Sequence, residues 1–123
     1  NKEILLKSIT VGAIIPMQHL YFDPGSADLR AEAVTELQRL LGVLKNNPNV
    51  RIAVYGHTDD VEILETTEDL ALERGKMVAN FLIANGYIKV KYSGFANTRP
   101  VATNDTEDGR QLNRRVEIVV TEK

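Results

Sequence analysis

Apolar and polar positions change their period several times along the chain. Over residues 1 to 25, Ile9, Val11, Ile14 and Ile15 precede Pro16, and Leu20 and Phe22 follow it. This loose alternation predicts one or two short strands ending at Asp23-Pro24-Gly25. From about Arg30 the spacing turns helical: Val34, Leu37, Leu41 and Leu44, flanked by Leu40, form one apolar stripe that stops at Asn46-Asn47-Pro48. Ile52, Val54 and Gly56 then alternate with Arg51, Ala53 and Tyr55, a strand that halts at Gly56-His57-Thr58-Asp59. A second helix is predicted from about Glu68 to Asn85, with Gly86 as its C-terminal cap. Ile88, Val90 and Tyr92 mark a further strand, and Val116, Ile118 and Val120 the last. Between them lie a loop rich in Asn, Thr, Pro and Asp and a short helix over residues 107 to 113.

This order predicts an α+β fold. It would be a two-layer sandwich in which a mixed sheet of about four strands carries two main helices and a short third helix on one face. Tyr55, Lys89 and Lys91 suggest that the other face is partly solvated. No repeat, low-complexity tract or linker divides the chain, so residues 1–123 read as one domain. Asn1 opens the chain without an initiator methionine or a basic-then-apolar leader, which reads as a processed product or a piece of a longer protein.

Composition narrows the function classes. The 123 residues are 43% hydrophobic, enough for one core. Fifteen basic against 17 acidic side chains, a formal charge of −2, argue against nucleic acid as a partner. The absence of cysteine removes disulfides, thiolate metal sites and a cysteine nucleophile. No apolar run approaches the roughly 20 residues that span a bilayer, so any membrane attachment would come from parts of a longer protein.

Within the second helix, Arg74 falls in the middle of the apolar arc set by Leu70, Met77, Val78 and Phe81. A guanidinium stays charged and is costly to bury without partners. Three readings are open: it snorkels past the helix start, pairs with a structural acid, or forms an anion site. Asp59 lies 15 residues earlier at the carboxyl end of a parallel strand, where open α/β sheets tend to bind ligands. An acid and a base at such an edge can bind one another or a ligand carrying both charges.

The segment from Asp59 to Glu73 holds seven acids (Asp59, Asp60, Glu62, Glu65, Glu68, Asp69, Glu73) and no base. It reads as a solvated loop feeding the helix dipole, or as a divalent cation site, although it lacks the alternating ligand spacing of a calcium loop. His19 and His57 have no partners at metal-ligand spacing, and no nucleophile elbow or phosphate loop is present. The residues therefore predict no catalytic site, no cofactor and no metal. Arg110, Arg114 and Arg115 cluster before the last strand, as charge favouring a helix end or as a patch for acidic partners.

An ordered set of short motifs resembles the OmpA-like C-terminal domain family. It comprises Phe22-Asp23, Gly56-His57-Thr58-Asp59, Leu70 with Arg74, Gly94 with Pro100, Asn104, Gly109-Arg110 and Asn113-Arg114-Arg115-Val116-Glu117-Ile118. The resemblance runs from about Tyr21 to Val120, making 21–120 the domain core and 1–20 an N-terminal strand or extension. It implies non-covalent binding of peptidoglycan through the diaminopimelate of the stem peptide. The location it implies is the Gram-negative periplasm, with attachment to the outer membrane through the full-length protein. In the family, the residues at the positions of Asp59 and Arg74 hold that zwitterion, the acid taking the ammonium and the planar fork the carboxylate. Asp23, Thr58, Asn113 and Arg115 match positions near the family pocket.

The chain also departs from the pattern. Glu62 stands where the family has glycine three residues after the aspartate, and Thr67 where it has asparagine. Ala71 replaces serine, and Gly75 replaces the alanine after the arginine. Glu62 adds a charge that opposes the stem's carboxylates, and Gly75 is expected to cost the helix up to about 1 kcal/mol relative to alanine. Two other readings therefore stand beside the cell-wall anchor. One is an envelope protein-interaction module of the same fold, with Asp59 and Arg74 as an internal ion pair and an altered loop that no longer binds peptidoglycan. The other is calcium binding at the acidic loop.

Overall fold

The computed structural model describes residues 10–17, 20–65 and 69–123; Ile9, His19, Thr67 and Glu68, each named above, lie outside them. The described elements run α1 (Ala31–Lys45), β1 (Arg51–Gly56), α2 (Glu62–Glu65), α3 (Leu70–Ala84), β2 (Val90–Gly94), α4 (Glu107–Asn113) and β3 (Val116–Glu122).

The apolar stripe of α1 buries Ala33, Leu37, Leu40, Leu41 and Leu44. Helix α3 begins at the N-cap Asp69, whose carboxylate accepts the Leu72 N–H at 3.1 Å. It ends where Gly86 turns to φ 101°, a left-handed conformation that lets Tyr87 N–H reach the Leu82 carbonyl at 2.9 Å.

The sheet order is β2-β1-β3. Strand β1 is parallel to β2, with Ile52 opposite Val90, and antiparallel to β3, with Val54 opposite Ile118. Ile52, Val54, Val116, Ile118 and Val120, at alternating positions, share one core with the stripes of α1 and α3.

The mixed sheet thus has three strands among the described residues, not about four. Among the described residues the N-terminal segment meets β3 through isolated bridges, Ile14 to Val119 and Tyr21 to Arg115, rather than a continuous ladder. Pro16, between those bridges, has no N–H to continue a ladder beyond the bond from Ile15 N–H to the Ile118 carbonyl.

Helix α3 lies unusually close to the ends of β1 and β2. A Cβ on Gly56 would stand 1.8 Å from the Ala71 carbonyl oxygen, and one on Gly94 2.4 Å from the Leu72 nitrogen. Gly75, expected only to weaken the helix, faces the strands as well, since a Cβ there would meet the Ser93 carbonyl at 3.1 Å. This contact sets the first turns of α3, and Arg74 with them, against the carboxyl end of β1.

Candidate functional site

Arg74 is fully buried, at 0% exposure, so it does not snorkel past the helix start. Its guanidinium carbon lies 5.1 Å from the centre of the Phe22 ring. All five of its donor hydrogens are used. Nε donates to the Ser26 carbonyl at 2.9 Å, Nη1 to the His57 carbonyl at 3.1 Å, and Nη2 to the Asp23 carbonyl at 3.2 Å. The remaining two form a fork on Glu62: Nη1 to Oε2 at 2.5 Å and Nη2 to Oε1 at 2.7 Å. Glu62 is itself buried and takes two more donors, the backbone N–H groups of Gly25 and Asp59, each at 3.0 Å.

The alternative in which Asp59 and Arg74 form an internal ion pair gives way to two other pairs, Arg74 with Glu62 and Arg114 with Asp59. Asp59 is buried at the end of β1, where Oδ1 accepts the N–H groups of Val61 at 2.9 Å and Glu62 at 2.7 Å. Its Oδ2 accepts Arg114 Nη1 at 2.9 Å. Arg114 also donates to the Phe22 carbonyl at 2.9 Å and to Glu107 Oε1 at 2.6 Å. Burial acts to lower the Arg114 pKa, but the hydrogen bonds to Asp59 and Glu107 outweigh it and raise it. The same bond from Arg114 holds the Glu107 carboxyl below its usual range.

The acidic segment is not simply a solvated loop. Two of its acids turn inward onto arginines, Asp60 accepts a bond from Asn97 at 2.9 Å, and Asp69 caps α3. Among the described residues no three His, Asp or Glu side chains converge as metal ligands would.

The remaining expected positions divide by their place. Asp23 lends Arg74 its carbonyl, while its exposed carboxylate lies 3.6 Å from Arg30. Thr58 is buried, its N–H bonded to the Ala96 carbonyl at 2.9 Å and its hydroxyl without a partner among the described residues. Asn113 is a brace: Oδ1 accepts Val101 N–H at 2.8 Å and Ala102 N–H at 3.0 Å, and Nδ2 donates to the Ala102 carbonyl at 3.0 Å. Arg115 is not on Asp59. It reaches the Arg99 carbonyl at 2.8 Å and Glu117 at 3.4 Å, and burial lowers its pKa. Glu117 also lies 2.8 Å from Nε2 of the buried His57. Burial above all, aided by Arg115, lowers the His57 pKa to about 4.

Arg114, Glu62 and Glu107 thus join a centre that the motif string assigned to Asp59 and Arg74. In the sequence Arg114 stood in a basic cluster and a motif string, and Glu62 in an acidic segment and as a departure from the family pattern, with no signal that either would meet Asp59 or Arg74.

Motility protein B of Bacillus subtilis is 31% identical over 122 residues, covering 93% of this chain and 47% of that protein. The peptidoglycan-binding protein ArfA of Mycobacterium tuberculosis is 37% identical over 86 residues, 68% of this chain and 26% of that one. The chain thus spans about half or less of these curated relatives. Among solved structures, the cell wall anchor of the T6SS from Pseudomonas aeruginosa superposes with a TM-score of 0.72 at 28% identity, covering 98% of this chain and 92% of that one. The model of the OmpA family matches residues 21–114, which hold the buried pairs, and on that match this chain belongs to the OmpA family.

Proposed function

We propose that this domain binds peptidoglycan non-covalently in the bacterial envelope and anchors a longer protein to the cell wall. The observation that carries the reading is that Arg74 and Asp59, of opposite charge, are both buried at the end of β1, Arg74 on the His57 carbonyl and Asp59 two residues further on, in a chain whose relatives include a named peptidoglycan-binding protein and a named cell wall anchor. A guanidinium fork that seats a carboxylate, here that of Glu62, near a second buried carboxylate suits a zwitterion that displaces Glu62, and the diaminopimelate of a stem peptide is one. We read the domain as a binding module in the periplasm, with attachment to the outer membrane through the full-length protein. One weak pocket suffices for such an anchor because the wall presents many identical stems. The test is sedimentation of the purified domain with diaminopimelate-type sacculi. The domain is expected in the pellet, and Arg74→Lys, which keeps the charge but loses the fork, is expected to release it. A pellet unchanged by Arg74→Lys would refute the site.

A second reading, an envelope interaction module that does not bind peptidoglycan, is favoured by one observation: Glu62 fills the Arg74 fork. Its signature is a wild-type domain that stays in the supernatant.

A further inference from the structure

We propose that Glu62 is an intramolecular competitor that occupies the carboxylate seat of the domain, so that a ligand carboxylate binds only when Glu62 gives way. The inference rests on the carboxylate-binding role proposed for Arg74.

Four donors converge on the Glu62 carboxylate, two from the Arg74 fork and one each from the backbone of Gly25 and Asp59. Each carboxylate oxygen receives two of them. They and their acceptor come from four separate stretches of chain: the turn at Gly25, the end of β1, α3 and the start of α2. Each of the first three also has anchors other than Glu62, such as the Ser26 N–H on the Asp23 carbonyl at the turn and Arg114 on Asp59. Gly25 lies in the loop before α1, Asp59 follows β1, and Arg74 is locked by the carbonyls of Ser26, His57 and Asp23. The seat is thus a built receptor for a planar carboxylate, and Glu62 is the part of it that can be exchanged.

The element that delivers Glu62 is held lightly. Helix α2 is four residues long, with Leu64 86% exposed and Val61 before it 44% exposed. Among the described residues its ties inward are the Glu62 carboxylate, the half-buried Ile63, the turn that Asp59 Oδ1 makes with the N–H groups of Val61 and Glu62, and the exposed bonds of Asp60 with Asn97 and Asn104. The segment brings little buried apolar surface of its own, so the main cost of opening it is the Glu62 pair, which a ligand carboxylate would replace. A tethered carboxylate competes at an effective concentration in the millimolar range or above, and a ligand's apparent affinity falls by the fraction of domains in which the seat is open. Glu62 would therefore set the affinity threshold for carboxylate ligands without touching them.

The test separates this inference from the peptidoglycan reading by using a small carboxylate as well as sacculi. Glu62→Ala and Glu62→Gln are titrated with sodium propionate against sodium chloride at equal ionic strength, and Tm is followed. Both variants are expected to melt lower than the wild type. Glu62→Ala should then regain stability saturably with propionate and not with chloride, while wild-type Tm stays flat. If Glu62→Ala does not fold in plain buffer, propionate-dependent recovery of its helical circular dichroism counts in favour, and its absence counts against. In the sacculus assay Glu62→Ala is expected to bind at least about tenfold tighter than wild type. Absence of a propionate effect on both variants, with sacculus binding equal to wild type, overturns the competitor role and leaves the peptidoglycan reading standing. Propionate rescue with no sacculus binding by any form supports the seat and its occupant and overturns the peptidoglycan reading.

Discussion

Replacing Asp59 by asparagine isolates one charge in the buried centre without changing its shape. The amide oxygen of the Asp59→Asn side chain would still accept the N–H groups of Val61 and Glu62, so the turn into α2 survives. What is lost is the 2.9 Å bond from Arg114 Nη1 to Oδ2, between side chains 3% and 2% exposed. In its place an amide N–H would face a guanidinium N–H. Breaking a buried pair by removing one partner typically costs about 3–5 kcal/mol. Arg114 keeps the Phe22 carbonyl and Glu107, which places the loss at or just below the foot of that range, about 2–3 kcal/mol. For a domain of this size that lowers Tm by roughly 10 °C. Arg114→Met should cost at least as much, because it also abandons the Phe22 carbonyl and Glu107. Urea unfolding followed by far-UV circular dichroism on the wild type, both single variants and the double variant measures the coupling directly. A coupling of about 2 kcal/mol is expected, and it should change little between low and high salt because both partners are buried. Additive losses, with a coupling under about 0.5 kcal/mol, would refute Asp59–Arg114 as a working pair. They would return Asp59 to the role of an acid held in reserve for a ligand.

Two further outcomes follow from the packing. His57 binds a proton near pH 6.5 when unfolded but only near 4 when folded. Unfolding therefore takes up protons between those values, and stability should fall by at most about 3 kcal/mol as the pH drops through that window. Urea midpoints measured across it check this, with His57→Gln expected to flatten the slope. Gly56→Ala and Gly42→Ala should differ in sign. The first drives a methyl to 1.8 Å from the Ala71 carbonyl and costs about 3 kcal/mol or more, while the second meets nothing within 4 Å on an exposed face of α1 and stabilises by about 0.5–1 kcal/mol. Equal Tm values for the two would contradict the close helix–strand approach.

The elements themselves were legible because each has a periodic signal. The stripe of Leu37, Leu40, Leu41 and Leu44 and the alternation of Ile52 and Val54 each point one way, and the structure places α1 and β1 there. The phase of a helix is also local arithmetic, so the place of Arg74 on the apolar face among Leu70, Val78 and Phe81 could be read, while its burial rather than snorkelling could not. The fourth strand could not be read with the same security, since apolar residues around Pro16 look strand-like whether or not a continuous ladder forms.

Partner choice lay beyond the sequence. Arg74 follows seven acids between Asp59 and Glu73, and which one its fork meets depends on the path of the turn after β1. Asp59 makes that turn by accepting the N–H groups of Val61 and Glu62, and the turn swings Glu62 inward. Arg114 and Arg115 are neighbours at the start of β3 and point to different partners. Arg114 takes Asp59, and Arg115 takes Glu117 and the Arg99 carbonyl. Gly75 looked like a helix defect until the strands were placed beside it. The sequence alone thus determined the two main helices, the short last helix, the three strands of the sheet and the family. Only the tertiary structure decided which charge meets which, because hydrophobic periodicity acts along the chain while ion pairing depends on distances of a few ångströms between separate segments.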